Sequence, residues 1–405
     1  MMTARRRGIA VLLVNNALMT AGFFMLIPLL SVHLTQTLGF SGAAAGAVLA
    51  LRQLTQQGLM VFGGALADRV GYRPIIAGGM LIRSFGFFGF AISDSLLSVI
   101  ASAIVAAIGG ALFEATGKAA LAALSAPEER AHLFSLSAVA GGIGTTGGPL
   151  LGVLLLPVGF GYVGLASGAF FFIAFAVSAL LLPAFAGAPP GTPGLRQTLQ
   201  EVAHDRPFLA YTALLTGFWL LHNQIYISVP LRATQVAGNA SIVGLLYAIN
   251  AGVGLALQYP LVRWASRRAS ATTLTSLGIA TMGGGLGLFA YATESSSIAI
   301  PLMSIAVLVF ALGRILVEPT KDAVTAAMAP PQAMAAYFGV SFLALAVGGS
   351  AGNYAGGWLF DMANATSLFW LPWLLFFATG LAVAVLVLVA GPMIRLRLQQ
   401  NTGSP

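Results

Sequence analysis

Gly64-Ala65-Leu66-Ala67-Asp68-Arg69-Val70-Gly71-Tyr72-Arg73-Pro74 places one acid, two arginines and two signpost glycines between two long apolar runs, 41–67 and 74–93. Each run reaches the ~20 apolar residues that a helix needs to cross a bilayer. Gly64 lets a neighbouring helix approach closely, and Gly71 permits a sharp turn that a Cβ obstructs. Asp68 can hold such a turn by accepting bonds from backbone donors, from Arg73 or from the positive N-terminus of a nearby helix. The stretch is therefore a tight turn between two membrane spans.

Outward from it the same pattern repeats along the chain. Of its 405 residues 58% are hydrophobic and only 7% charged, with a mean hydropathy of +0.91, too much apolar surface to hide from water. Twelve apolar runs of spanning length can be counted, the first at 8–34, the seventh at 207–232 and the last at 367–391. Helices are the expected form, since each satisfies its own backbone in lipid. Arg5-Arg6-Arg7 before the first run resembles a signal peptide, but that run is long, holds Asn15 and Asn16 and meets Pro28 without a small-residue cleavage pattern, so a retained helix is expected.

Arginine sets the orientation. Arg5, Arg6, Arg7, Arg69, Arg73, Arg130, Arg196, Arg206, Arg263, Arg267, Arg268, Arg395 and Arg397 fall in the termini or in every second loop, which places those segments and both termini in the cytoplasm. Arg232 is the clear basic residue of the opposite loops. The net charge of +8 is thus topological and not a nucleic-acid footprint. The absence of cysteine excludes disulfides and thiolate chemistry. No phosphate-binding loop, metal-spaced histidine cluster or nucleophile–base pair outside the membrane is present, so neither an enzyme, nor a metal site, nor an ATP-driven pump is expected.

The chain echoes itself at an offset of 204 residues: Glu114, Thr116, Ala119, Ala123 and Pro127 recur as Glu318, Thr320, Ala323, Ala327 and Pro331, and Gly144, Gly148 and Gly152 as Gly348, Gly352 and Gly356. Residues 1–185 and 207–405 are the two expected halves, joined by a proline-bearing cytoplasmic linker, 186–206, with a brief amphipathic stretch at Leu195 to Ala203. The expected fold is an all-α integral membrane protein of twelve helices in two pseudo-symmetric six-helix bundles, a parallel-repeat transporter architecture.

At this point a resemblance enters. Gly64-x-Leu66-x-Asp68-Arg69-x-Gly71-x-Arg73 resembles the signature of the major facilitator superfamily between helices two and three, with Tyr72 where a basic residue is usual. Gly144-Thr145-Thr146-Gly147-Gly148-Pro149-Leu150-Leu151-Gly152 on helix five resembles the glycine–proline motif of the drug/proton antiporters within it. Gly22-Phe23-Phe24, Leu51-Arg52-Gln53, Gln56-Gln57-Gly58 and Gly356-Gly357-Trp358-Leu359-Phe360-Asp361-Met362 are similar to a family of bacterial multidrug resistance proteins. The resemblance implies a multi-pass exporter of the bacterial inner membrane that moves small drug-like amphipaths by alternating access. Its partners are then the substrate, protons and membrane lipids, with no nucleic acid, and its energy source is the proton gradient, with no cofactor. It is expected to act as a monomer. In that family the Gly64–Arg73 loop latches the cytoplasmic side.

Charges within lipid-spanning segments are costly and face a cavity or a partner, which makes Arg52, Arg83, Glu114, Arg314 and Glu318 the mechanistic shortlist. Glu114 and Glu318 stand at equivalent heights on helices four and ten. A carboxyl group that is neutral with its proton and anionic without it can exchange that proton for a cationic or zwitterionic solute, so both are candidates for proton coupling. Lys118 and Lys321 nearby offer the alternative of fixed ion pairs. Arg52, amid Gln53, Gln56 and Gln57, either binds an acidic group or pairs with Glu114, whereas Arg83 is expected to snorkel from the cytoplasmic end of helix three. His222, Asn223 and Gln224 beside Trp219 and Tyr226 form a polar and aromatic patch that suits a drug cavity. Where the resemblance leads one to expect acids on helices one and eight, the chain has Asn15 and Asn250, and helix ten adds Arg314. The expected cavity set is Asn15, Arg52, Gln56, His222, Gln224, Asn250 and Arg314. Transport of one specific metabolite on the same fold is the alternative reading.

Overall fold

The structure is a computed structural model. It describes residues 4–125, 129–184, 200, 202–293, 297–330 and 334–402, with backbone alone at 61, 64, 65, 68, 115, 130, 131, 334, 335 and 397–402. Most of the expected linker and its amphipathic stretch lie outside the described residues. Among these residues there are helices and turns and no strand.

Two compact units are formed, one from Met1–Phe40 with Leu51–Thr192, the other from Ser41–Ala50 with Pro193–Pro405. The first is built on α1 (Ala4–Val32, continuing in a π-turn to Thr37), most of α2 (Gly42–Val70), α3 (Tyr72–Ile92), α4 (Leu96–Leu124), α5 (Arg130–Leu155) and α6 (Phe160–Leu181). Here α1 packs on α5 and α6, and α3 on α4 and α6. The second holds α7 (Arg206–His222), α8 (Ser228–Ala237), α9 (Ser241–Ser266), α10 (Ala271–Leu288), α11 (Ala299–Met328), α12 (Met334–Thr366) and α13 (Leu371–Thr402). In this unit α7 packs on α12 and α13, and α10 on α11 and α13, the same partnership order as in the first.

Nine helices among the described residues are long and apolar enough to cross a membrane. The expected seventh span, 207–232, is broken instead of continuous. Asn223 Nδ2 donates to the Trp219 carbonyl and Gln224 Nε2 to the Leu220 carbonyl, both at 2.8 Å. These side chains occupy carbonyls one turn back, so the backbone tightens into a 3-10 turn at Asn223–Ile225 before α8 starts. The hydrophobic interiors follow helical phase: Phe87, Phe90 and Phe171 are buried while Phe85 and Phe172 point outward.

The start of α2 belongs to the second unit. Backbone N–H groups of Gly42 and Ala43 donate to the two carboxylate oxygens of Asp361 on α12, each at 2.7 Å. A carboxylate at a helix N-terminus meets orphan donors and the positive end of the helix dipole. Ser350 Oγ adds a bond to the Ala50 carbonyl at 3.0 Å, and an ideal Cβ on Gly42 would meet the Gly357 carbonyl at 2.7 Å.

Candidate functional site

The turn that opened the sequence reading is a single residue long. α2 ends at Val70, α3 starts at Tyr72, and Gly71 between them adopts φ +97°, ψ 158°, a conformation that a Cβ disfavours. Its N–H closes α2 by donating to the Ala67 carbonyl at 2.8 Å. Arg69 is exposed. Arg73, considered a partner of Asp68, donates to the Ala179 carbonyl on α6. Of Gly64 and Asp68 only the backbone is described.

Glycines of the helix-five motif make a bare face against α1. An ideal Cβ on Gly144 would meet the Ala17 carbonyl at 2.6 Å, and one on Gly148 the Ala21 carbonyl at 2.6 Å; Gly152 abuts the Met25 carbonyl. Pro149 is buried within the same helix. The second unit repeats the device, with Gly352 against the Leu220 carbonyl at 2.5 Å and Gly348 against Thr216. Backbones this close are possible only where side chains are absent.

In the first unit a polar chain crosses the buried interior. Arg52 Nη1 donates to Gln56 Oε1 at 3.1 Å and Nη2 to Gln53 Oε1 at 3.3 Å, while Gln56 Nε2 donates to Glu114 Oε2 at 2.6 Å. Arg52 thus reaches Glu114 through an amide relay. Arg83, expected to snorkel, is instead 3% exposed, because α3 has 21 residues and Arg83 stands at its middle, too far from either end. Its guanidinium carbon lies 5.0 Å from the centre of the Phe171 ring and 5.4 Å from that of Phe23. Phe23 also carries Arg52 at 5.1 Å.

The second unit solves the same problem with an ion pair. Arg314 Nη1 meets Glu318 Oε2 at 2.7 Å, and its Nη2 donates to the Asn250 carbonyl at 3.2 Å, so three expected residues come together. Lys321, considered a partner of Glu318, pairs with Asp322 at 2.6 Å and lies 5.3 Å from the Trp219 ring centre. One turn along the helix from Glu318, Arg314 reaches the carboxylate directly. His222 sits in an aromatic cage, its ring 5.1 Å from Trp219, 5.7 Å from Phe218 and 6.0 Å from Tyr226. Its Nδ1 has no hydrogen-bond partner among the described residues.

Two members of the expected cavity set are drawn into packing. Asn15 is fully buried and its Nδ2 donates to Ser178 Oγ on α6 at 2.6 Å. Gln224, also fully buried, has its amide on the Leu220 and Gly352 carbonyls and its Oε1 on Ser228 Oγ at 2.6 Å. Phe23 and Tyr247 are site walls that sequence alone does not single out. Tyr247 Oη donates to the Ile225 carbonyl at 2.6 Å and pins the helix break beside His222. The signal for Phe23 was its place in the quoted Gly22-Phe23-Phe24 triplet, but helical phase alone does not choose between two neighbouring rings.

The model of the Major Facilitator Superfamily matches residues 12–353 of this chain. The chain belongs to the major facilitator superfamily. It is a multi-pass membrane transporter of that superfamily, not an enzyme. Among its relatives, the multidrug resistance protein MdtH of Edwardsiella ictaluri (strain 93-146) is 37% identical over 386 residues, covering 95% of this chain and 94% of that one. The multidrug resistance protein MdtH of Proteus mirabilis (strain HI4320) is 36% identical over 377 residues, covering 93% of each. Solved structures share the superfamily fold at low identity. A POT family transporter in complex with 5-aminolevulinic acid superposes with a TM-score of 0.79 at 12% identity, covering 96% of both chains. The peptide transporter POT in complex with sulfate gives 0.79 at 15%, covering 96% of this chain and 95% of that one.

Proposed function

We propose that this facilitator-superfamily transporter exports drug-like amphipathic small molecules by proton antiport with alternating access, from the bacterial inner membrane and with both termini in the cytoplasm. The observation that carries the reading is the pair of repeat-related glutamates, each held by a nitrogen donor within a membrane span: Glu318 by Arg314 at 2.7 Å and Glu114 by Gln56 at 2.6 Å. A proton arriving on Glu318 removes the anion that Arg314 binds and frees that guanidinium. The same proton displaces a solute cation that the carboxylate has taken in place of Arg314, so proton and cationic group exclude each other on one carboxylate and their movements are opposed. The relatives' name, multidrug resistance protein, supports drug-like cargo. The aromatic cage of His222 supplies the adaptable apolar wall that such cargo needs.

The test is efflux of a cationic amphipathic dye from liposomes holding the protein, under an imposed proton gradient, with Glu318→Gln and Glu114→Gln beside the wild type. We expect gradient-driven transport in the wild type and its loss in at least one variant that still binds dye. A wild type indifferent to the gradient ends the antiport reading. Saturable transport of a single solute from a panel of unrelated compounds would replace drug export by a specific carrier.

A further inference from the structure

The two repeats balance their half-buried glutamates differently. Position 110 in the first repeat corresponds to 314 in the second, at the same offset that relates Glu114 to Glu318. The helix packing agrees, since Gly109 abuts the backbone of Arg83 just as Gly313 abuts that of Met282. In the second unit the guanidinium therefore comes from α11 itself, as Arg314, over an apolar Met282. In the first unit α4 has only Gly110 there, and the guanidinium comes from α3 as Arg83. Gly110 leaves the room: an ideal Cβ on it would collide with Arg83 Nη1 and lie 2.8 Å from Gln56 Cδ.

This exchange changes the charge balance. Arg314 closes on Glu318 directly, one cation to one anion. In the first unit Arg52 and Arg83 lie near Glu114, whose Oε2 is taken by Gln56, so among the described side chains of that interior two arginines face one glutamate. Arg83 Nε and Nη1 are buried and have no hydrogen-bond partner among the described residues. Burying an arginine in a membrane span without satisfying its donors is expensive, and such a residue marks a site for a partner that comes and goes. The phenyl rings of Phe23 and Phe171 lie 5.4 and 5.0 Å from the guanidinium carbon and offer those donors no acceptor oxygen.

We infer that Arg83, with Arg52 across Phe23, forms a binding subsite in the first unit for an oxyanion carried by the transported amphipath, a carboxylate or sulfonate, the acidic end of a zwitterion included. The inference rests on the export reading and narrows its substrate class. An oxyanion accepts charge-assisted bonds from such buried guanidinium donors, and the apolar body of the same molecule lies on the phenyl rings.

The experiment uses the full chain in phosphatidylcholine nanodiscs, which offer no net-anionic lipid, and three matched fluorescent probes: dansylglycine, its neutral amide and a cationic dansyl-ethylenediamine. Wild type is expected to bind dansylglycine roughly tenfold more tightly than the amide, the scale of one charge-assisted contact. Arg83→Gln brings the two within about twofold of each other, and Arg83→Lys keeps part of the preference because the charge remains while the fork is lost. Should Arg83→Gln fail to fold, thermal protection of the wild type answers instead: dansylglycine raises its melting temperature and the amide does not. Equal binding of acid and amide by the wild type overturns the subsite, as does a preference undiminished in both Arg83→Gln and Arg52→Gln. The export reading fails separately. A wild type that selects dansylglycine yet moves neither it nor the cationic dye under a proton gradient keeps the subsite and loses antiport, whereas gradient-driven dye efflux without anion selection does the reverse.

Discussion

Gly71 shows how much a single residue decides. Its φ of +97° with ψ 158° is a region that only glycine occupies without strain, and the turn has no second residue to absorb a change. Gly71→Ala is expected to lower stability by about 1–3 kcal/mol, read as an earlier thermal midpoint in detergent. Gln56 is decisive in another way, as the amide joining Arg52 to Glu114. Gln56→Leu removes both bonds at nearly constant volume and is expected to cost about 1–3 kcal/mol by orphaning a carboxylate oxygen. The measurement is the same midpoint, with Gln56→Glu as a control that keeps the Arg52 contact. Such residues were legible in the sequence because intramembrane polarity is rare: Arg52, Gln56, Glu114, Arg314 and Glu318 all proved to lie in bonded clusters. Which donor reaches which carboxylate was not legible. Arg314 takes Glu318 while Lys321, also one turn away, pairs with Asp322, and Arg83 proved buried at the middle of α3 instead of snorkelling to its end.

At the scale of helices, glycine position separates packing from permissiveness. Neighbours in sequence, Gly147 and Gly148 differ completely: an ideal Cβ on the first meets nothing within 4 Å, whereas on the second it meets the Ala21 carbonyl at 2.6 Å. Gly148→Ala is expected to destabilise by about 1–3 kcal/mol, since backbone cannot step aside as a side chain can. Gly147→Ala should be neutral or stabilising by up to about 1 kcal/mol through helix propensity. Paired melting curves in detergent check both, and equal behaviour would remove the packing account of the motif. The fourfold glycine spacing made this face readable from sequence, since i, i+4 residues share one side of a helix. The break at Asn223–Ile225 was not readable, because Asn and Gln within an apolar run look the same whether they line a cavity or bond to carbonyls a turn back.

Over the whole molecule, the absence of cysteine makes the topology directly measurable. If both termini face the cytoplasm, Asn239→Cys should react with a membrane-impermeant maleimide added outside intact cells, and Arg69→Cys only after the membrane is opened. Labelling of Arg69→Cys from outside would invert the arginine argument. The repeat was legible because an offset of 204 aligns glutamates and glycines together, but that Ser41–Ala50 folds with the second unit was not. That placement bears on how the protein is made. Asp361 is 319 residues from Gly42, whose N–H it accepts. As the chain leaves the ribosome, Ser41 Oγ can already accept from the Ala44 N–H, but the Gly42 and Ala43 amides lack their acceptor until α12 has been translated. The amino-terminal half cannot reach its finished form while it is still the only half in existence, because the acceptor for the head of α2 is made near the end of the chain.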